Sequence, residues 1–345
     1  MPNTGENCSL TKMGRLAEDA GADSLWVNDH LLMVEGGRSP YPFTPDGAIP
    51  WPMDMPWYEC LTAASFLAAT TSRCRIGTSV LILPQRNVLE LAKTTATLDA
   101  LSGGRLVFGI GAGWFAEEIE ALGYSFRTRG QRTDEMIEVL RRCWTGRSRP
   151  FEGKEIVVPE GLVFEPRPAQ PGGPPILIGG MSRAALRRAA LRGDGWLAFQ
   201  RGELDPGKLA ELLETLEDFR GEAGRIDEPF SYVMRLHSSP GMAPRLSEFA
   251  IRVQELGFDE LVINPPWEDL AEVQRLIDQV KCTVSTGGAS KRRHDGLPEL
   301  SRVCKLSANA RIFYMTLCLN FQEIYSGCCT VATHKVFSMS RPYAS

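Results

Sequence analysis

Short apolar runs alternate with longer amphipathic segments through most of the chain. The runs are nearly continuous in apolar residues, as strands buried on both faces are, whereas the segments between them follow a helical period. The pattern predicts seven strands, at Ser24–Asn28, Arg75–Leu83, Arg105–Ile110, Pro175–Ile178, Gly195–Phe199, Ser231–His237 and Glu260–Asn264. It predicts helices at Ser9–Ala20, Leu89–Leu101, Gly130–Trp144, Arg183–Arg192, Pro206–Glu222 and Ala243–Leu256. Strict alternation of strand and helix implies a parallel sheet, and this many units fit a (β/α)8 barrel better than an open doubly wound sheet.

The pattern is one strand short of a complete barrel. The chain opens with a predicted loop over residues 2–6 and then the first helix, so the first strand is the one that is missing. Either the printed start is internal to a longer reading frame, or the barrel has a gap. A gap would leave the backbone N–H and C=O groups of two strand edges unpaired.

Charge and composition change near residue 280. The segment 281–345 contains nine Lys or Arg and three Asp or Glu, a net charge of +6, against −10 for the preceding residues. We therefore predict two parts: a barrel domain over 1–280, and an appended, poorly ordered tail over 281–345. The apolar, β-prone run Arg311–Phe321 could fill the gap in the barrel, but the prediction favoured here is an appendage.

Composition excludes several classes of protein. The net charge of −4 gives no reason to expect nucleic acid, and no apolar run is long enough to span a membrane. The N-terminal residues do not form a secretory signal. The nine cysteines form no C-x-x-C pairs, which predicts no metal site and no disulfide framework, and hence a reduced, cytoplasmic protein. Motifs of hydrolases, metalloproteases and P-loop NTPases are missing from the sequence.

A glycine-rich loop follows the third predicted strand. Gly109, Gly111 and Gly113 would let the backbone approach a bulky ligand closely. The spacing is G-x-G-x-G, and no acidic strand end follows about 20 residues later, so a dinucleotide-binding fingerprint is the less favoured interpretation.

A second glycine turn stands between the predicted strand Pro175–Ile178 and the helix that begins at Arg183. Gly179, Gly180, Met181 and Ser182 place an N-cap and free backbone N–H groups at a positive helix end. This arrangement predicts a phosphate site to which Arg183 adds charge. The alternative is an ordinary tight turn.

Asp29 and His30 come directly after the first predicted strand, on the face where barrel enzymes keep their catalytic groups. His30 is the candidate general acid or base; otherwise it is a loop histidine that bonds backbone carbonyls. Asp29 is a candidate ligand group or a cap of the following turn.

Two long loops interrupt the pattern. Met33–Pro56 carries six prolines and several aromatic residues and lies on the ligand face, which predicts a substrate lid rather than a rigid surface excursion. Pro150–Pro174 predicts a hairpin, which could cover the pocket or lie outside it.

The motifs LAEDAGADSLWVNDHLL, IGTSVLILPQRNVLELAKTTATLDALSGGRLVFGIGAGW, FEGKEIVVPEGLVFEPRPAQPGGPPILIGG and GDGWLAF resemble the luciferase-like monooxygenase superfamily, and within it the coenzyme F420 (deazaflavin) branch. The resemblance spans about residues 2–280 and implies a (β/α)8 barrel. It implies that Asp29 and His30 lie at the cofactor ring, that Ser79–Val80 is a cis peptide behind it, and that Gly111, Ala112 and Gly113 line the cofactor. Gly179, Gly180, Met181 and Ser182 correspond to its phosphate turn.

The function that this resemblance implies is hydride transfer between F420 and a small organic substrate. One alternative is an FMN-dependent monooxygenase supplied by a separate flavin reductase; a second is a truncated, non-catalytic member. Trp114 stands where some deazaflavin dehydrogenases carry an acidic residue, which argues against a sugar-phosphate dehydrogenase. Self-association into a homo-oligomer is left open.

Overall fold

The computed structural model describes residues 10–237, 245–265, 267, 269–287 and 314–319, of which 270, 281–287 and 314–319 are described as backbone. The strands are β1 (Ser24–Val27), β2 (Arg75–Thr78), β3 (Leu81–Ile82), β4 (Leu106–Gly111), β5 (Phe151–Glu152), β6 (Val157–Val158), β7 (Ile176–Gly179), β8 (Gly195–Arg201), β9 (Ser231–His237), β10 (Glu260–Ile263) and β11 (Tyr314–Leu319). The helices are α1 (Leu10–Asp19), α2 (Cys60–Thr70), α3 (Val88–Ser102), α4 (Ala116–Ala121), α5 (Arg129–Trp144), α6 (Arg183–Arg192), α7 (Pro206–Glu222), α8 (Leu246–Glu255) and α9 (Leu270–Gly287). No helix in the described residues is long and apolar enough to cross a bilayer.

Eight parallel strands form a closed barrel, in the order β2-β1-β11-β10-β9-β8-β7-β4, and a further pairing of β2 with β4 completes the ring. The barrel interior is filled by one apolar side chain from each of six strands: Trp26, Val107, Leu177, Leu197, Val233 and Val262. A larger apolar cluster lies between the strands and the surrounding helices. The predicted (β/α)8 fold is confirmed.

The strand β11 occupies the gap left by the missing first strand. It pairs in parallel with β1, from Ser24 opposite Thr316 to Val27 opposite Leu319, and with β10, from Glu260 opposite Tyr314. This pairing satisfies the N–H and C=O groups that both edges would otherwise leave open. The expectation that the tail is only an appendage is therefore wrong for residues 314–319.

The expected domain boundary at residue 280 falls inside α9, whose backbone continues to Gly287. Residues 288–313 and 320–345, for which poor order is expected, lie outside the described residues. Their separation from the barrel remains a prediction.

The predicted strand Arg75–Leu83 is divided into β2 and β3 at a cis peptide bond between Ser79 and Val80. The resemblance implied this bond, and the structure confirms it. The other predicted strands and helices agree with the observed ones to within about three residues, the usual uncertainty of element ends.

The segment Pro150–Pro174 contains the short antiparallel pair β5 and β6. The buried carboxylate of Glu135 on α5 accepts the backbone N–H groups of Lys154, Glu155 and Ile156 at 2.9 to 3.0 Å. Asp99 on α3 accepts the N–H of Gln170 at 2.9 Å. The hairpin thus packs on the outer helices, and the alternative in which it covers the pocket is not observed.

Candidate active site

A cavity of about 790 Å³ opens at the carboxyl ends of the barrel strands. Eleven of the site residues predicted from the sequence line this cavity: Asp29, His30, Ser79, Val80, Gly111, Ala112, Gly113, Gly179, Gly180, Met181 and Ser182. Gly109 and Arg183, which the sequence also indicated, are not among the lining residues. The eleven lining residues come from four separate strand ends, which converge because parallel strands all release their chain on the same face of a barrel.

The cavity floor is built by Val80 between two glycines. A Cβ on Gly111 would lie 2.7 Å from Cγ2 of Val80, and a Cβ on Gly179 would lie 2.5 Å from its Cγ1. Real Cβ atoms do not approach other carbons so closely, so both positions need glycine while Val80 stands between them. Val80 follows the cis bond between Ser79 and Val80.

His30 is held by a carboxylate that sequence reasoning missed. Its Nδ1 lies 2.8 Å from Oε2 of Glu118, whose side chain is fully buried on α4. The other oxygen of Glu118 accepts the backbone N–H of Leu31 at 2.6 Å and an N–H of Gln85 at 3.1 Å. In the tautomer that donates from Nδ1 to Glu118, Nε2 of the ring is an acceptor.

An aromatic wall surrounds His30. The rings of Trp51, Trp57 and Trp114 have centroids 6.0, 5.1 and 5.9 Å from the imidazole, the last two edge-on. Tyr41 packs edge-on against both Trp51 and Trp114, at 5.0 and 5.2 Å. Since Tyr41 and Trp51 belong to the loop Met33–Pro56 and line the cavity, the loop lies where a lid is predicted.

The base of the lid loop is bound to the barrel through α4. Glu117 accepts the backbone N–H groups of Arg38 and Ser39, and the hydroxyl of Ser39 accepts the N–H of Ala116 at 3.0 Å. The same short helix thus carries the anchor of the lid and, at Glu118, the partner of His30.

Asp29 is buried and its carboxylate is occupied internally. One oxygen lies 2.7 Å from the guanidinium of Arg86, and the other accepts the N–H of Ile82 at 2.8 Å. Burial raises the pKa of this carboxyl, although Arg86 and the N–H of Ile82 act in the opposite direction. These contacts favour a structural role for Asp29, in which its carboxylate holds β3 in place, over a role as a ligand group.

The start of α6 forms one end of the cavity. Ser182 caps the helix by accepting the N–H of Ala185 at 3.2 Å, and Gly180 before it has a φ of +117°, a backbone conformation that favours glycine. Arg183, which was expected to add charge, lies instead over the ring of Phe219, 4.7 Å from its centroid. Two other arginines, Arg129 and Arg188, line the cavity.

The two arginines at this end lie close to each other. Burial and the charge of Arg188 together lower the pKa of Arg129. Arg188 is paired with Asp134 at 2.6 Å, while Arg129 bonds the backbone carbonyls of Gly113 and Phe126. Two neighbouring guanidinium groups beside a helix N-terminus form an anion-binding arrangement.

A second basic group, also missed, lies at the ends of β8 and β9. Phe199 is opposite Arg235, and Arg201 is opposite His237 in the pairing of these strands. All four residues line the cavity. The alternation of side chains along a strand could have identified them. They lie two or four residues after Leu197 or Val233, on the same strand face, and those two residues fill the barrel interior.

Within the described residues, no group of three or more His, Cys, Asp or Glu side chains is placed to hold a metal ion.

Comparison with known proteins shows the family of this chain. The model of the luciferase-like monooxygenase family matches residues 8–245. An uncharacterised protein of Mycobacterium tuberculosis is 38% identical over 218 residues, or 63% of this chain and 73% of that protein. An F420-dependent glucose-6-phosphate dehydrogenase of Microbacterium testaceum is 32% identical over 282 residues, or 79% of this chain and 76% of that protein.

Two solved structures show the same fold. An F420-dependent secondary alcohol dehydrogenase, in complex with an F420–acetone adduct, has a TM-score of 0.56 at 18% identity and covers 92% of each chain. The FMN complex of a type II Baeyer–Villiger monooxygenase, the oxygenating constituent of 3,6-diketocamphane monooxygenase from Pseudomonas putida, has a TM-score of 0.51 at 16% identity, over 83% of this chain and 75% of that one. With most of its barrel matched by the family model, the chain belongs to the luciferase-like monooxygenase family.

Proposed function

We propose that this protein is an oxidoreductase that transfers a hydride between coenzyme F420 and a small organic substrate. The observation that carries the proposal is the pair of His30 and buried Glu118, 2.8 Å apart, in the wall of a cavity whose floor is shaped by Val80 and two glycines. The likeness to the F420-dependent glucose-6-phosphate dehydrogenase of Microbacterium testaceum supports the choice of cofactor.

The cavity fits a flat ring system with a phosphate-bearing side chain. The cradle of Val80, Gly111 and Gly179 admits close approach of a ring, because a Cβ on either glycine would push Val80 into the cavity. The N-terminus of α6 with Arg129 and Arg188 would hold the phosphate. Both F420 and FMN have these parts.

One feature favours F420 over FMN. F420 carries carboxylates beyond its phosphate group, and FMN does not. Arg127 is exposed, lines the cavity and stands two residues before Arg129, so it offers a further cation at the phosphate end. Arg127 could bind a carboxylate of F420 through a charge-assisted hydrogen bond, which is stronger than a neutral one. FMN has no such carboxylate to bind.

When bound, F420 supplies a carbon-centred donor or acceptor of hydride. A hydride that leaves a carbinol carbon must be accompanied by the hydroxyl proton, and Nε2 of His30 is placed to take it. Glu118 holds the ring in the tautomer with an accepting Nε2 and lies against the positive charge that protonation creates. The aromatic wall and lid exclude water from the reacting atoms.

Binding measurements with both cofactors test the proposal. We expect the purified full chain to bind F420 at least about ten-fold more tightly than FMN, measured by calorimetry. Arg129→Gln should weaken both cofactors, Arg127→Gln should weaken F420 alone, and Arg187→Gln, on the exposed side of α6, should change neither. Tight FMN binding without F420 binding would overturn the proposal in favour of a monooxygenase that works with a separate flavin reductase.

The truncated, non-catalytic alternative rested on the missing strand and on the different composition of the tail. The pairing of β11 with β1 and β10 removes the first of these supports. A cytoplasmic location and the absence of a nucleic-acid partner remain predictions from composition, and any homo-oligomer is untested.

A further inference from the structure

The basic group at the ends of β8 and β9 lies next to the turn that follows β7, since β8 pairs with β7 and the N–H of Phe199 contacts Sδ of Met181 at 3.4 Å. Phe199, Arg201, Arg235 and His237 all follow the inward parity of Leu197 and Val233 and all line the cavity. Arg235 donates to the carbonyl and the hydroxyl oxygen of Ser79, so its guanidinium lies beside the cis bond. This places Arg235 next to Val80 of the cavity floor.

The charge of this group is not balanced within the described residues. Asp29 is the one carboxylate among the lining residues that the structure describes, and Arg86 holds it. Neither Arg201 nor Arg235 forms an ion pair with a described carboxylate, and residues 238–244, which follow β9, include no Asp or Glu. Partly buried guanidinium groups without a counter-charge favour an anionic ligand.

The neighbouring polar groups add hydrogen bonds but no further charge. Tyr41 of the lid is hydrogen-bonded to Arg201, and burial raises the pKa of its hydroxyl despite the two arginines. Burial and the charges of Arg235 and Arg201 lower the pKa of His237 to about 4, so its ring is neutral at pH 7. The group therefore presents two positive charges, one of which is partly engaged by Ser79.

The surroundings of the group are aromatic. Phe43 of the lid packs on Phe199 at 4.3 Å between ring centroids, and Arg235 lies 5.5 Å from the Phe199 centroid. Tyr41 connects this side to Trp51 and Trp114, the neighbours of His30. These rings offer an apolar surface to the body of a ligand.

We infer that the substrate is an organic carboxylate with an apolar body, whose carboxylate binds Arg201 and Arg235 while the body lies against the packed rings of Phe43 and Phe199 and the reacting carbon points towards His30. A carboxylate is a planar monoanion that matches the fork of a guanidinium, and Arg201 is free of an acidic partner in the described structure. The assignment of this carboxylate as the substrate rests on the proposed oxidoreductase function, whereas the anion site itself does not.

The test uses the full chain without added cofactor and follows tryptophan fluorescence or heat on addition of benzoate, benzamide or phenyl phosphate. We expect benzoate to bind at least about ten-fold more tightly than its neutral isostere benzamide, and more tightly than phenyl phosphate. Arg201→Gln should weaken benzoate about 10- to 100-fold and leave benzamide unchanged. Arg187→Gln is the matched control on the exposed surface and should have no effect.

Arg235→Gln provides a second variant, and thermal melting shows whether either variant has lost its fold. Equal affinities for benzoate and benzamide, no benzoate binding at millimolar concentration, or loss of benzoate binding in Arg129→Gln rather than Arg201→Gln would each overturn the inference. So would weaker F420 binding in Arg201→Gln with unchanged benzoate binding, which would assign these arginines to the cofactor. Failure of F420 to bind at all, with the benzoate result intact, would defeat the proposed function and leave the anion site standing.

Discussion

Glu118 reaches across 88 residues of sequence to bond Nδ1 of His30 at 2.8 Å, and the same carboxylate accepts the N–H of Leu31 next to it. The histidine and the start of its loop are thus fixed by one buried acid on α4. Since Nδ1 of the ring is bound to a buried carboxylate, the orientation of the ring is set before any ligand arrives.

Replacement of His30 should affect turnover and spare the cofactor. In His30→Ala, we expect turnover to fall about 10²- to 10⁴-fold, the usual loss on removing a general acid or base. F420 affinity should change little, because the phosphate turn and the Val80 floor are elsewhere. Single-turnover F420 absorbance and calorimetry measure the two quantities; unchanged turnover in a protein that melts at a lower temperature would instead support a loop histidine with a structural role.

Replacement of Glu118 should act through His30. Glu118→Gln keeps the shape but removes the charge next to the imidazole, and turnover should fall about 10- to 100-fold, as it does when an orienting partner is lost. Glu120→Gln, on the exposed side of the same helix, is the matched control. The pH profile of turnover should shift in Glu118→Gln alone; equal profiles in the two variants would contradict a role in positioning His30.

The cavity floor can be tested by a pair of substitutions. Gly179→Ala puts a Cβ 2.5 Å from Cγ1 of Val80, an overpacking that costs about 1–3 kcal/mol and should weaken F420 about 5- to 150-fold. Val80→Ala in the same chain should restore much of the affinity by removing the clash. Gly221→Ala, in α7 with no atom within 4 Å of its new Cβ, is the control. If the double variant lost as much F420 affinity as the two single variants together, Gly179 and Val80 would not act through the same contact.

The pH dependence of stability should include a contribution from Glu18. Burial by itself would raise the pKa of this carboxyl, but hydrogen bonds from the N–H groups of Cys74, Arg73 and Ser72 outweigh it and lower the pKa from 4.5 to about 2. A carboxyl whose folded pKa is lowered stabilises the protein above its unfolded pKa. That contribution, about 3 kcal/mol, is lost as the pH falls from about 4.5 towards about 2.

Urea unfolding at pH 6 and pH 3 measures this contribution. The free energy of unfolding should fall less over this range in Glu18→Gln than in the wild type. Asp19→Asn, the exposed neighbour, should behave as the wild type does. The same fall in all three proteins would remove Glu18 from the acid-sensitive groups.

Truncation after Gly287 should destabilise the barrel. It removes β11 and leaves β1 and β10 each with an unpaired edge, so we expect a lower melting temperature and self-association through those edges. Circular dichroism and size-exclusion chromatography measure both. A truncated monomer with the melting temperature and F420 affinity of the full chain would restore the interpretation of the whole tail as a dispensable appendage.

Local pattern in the sequence determined much of this protein. Alternating apolar runs and helical periods gave seven of the eight barrel strands, because burial on both faces of a parallel strand is visible in consecutive residues. We could assign Gly111, Gly179 and His30 to one face of the barrel, because the direction of a strand alone decides on which face the following loop lies.

The tertiary structure decided which of these residues meet others far along the chain. Glu118 sits in a short helix whose sequence does not point to His30, and Arg188 rather than Arg183 faces the phosphate turn because α6 turns Arg183 towards Phe219. Arg201 and Arg235 become neighbours only through the register of β8 with β9. The eighth strand came from residues 314–319, since strand pairing joins segments of any sequence separation once two edges are left open, and no local period records which distant segment will fill them.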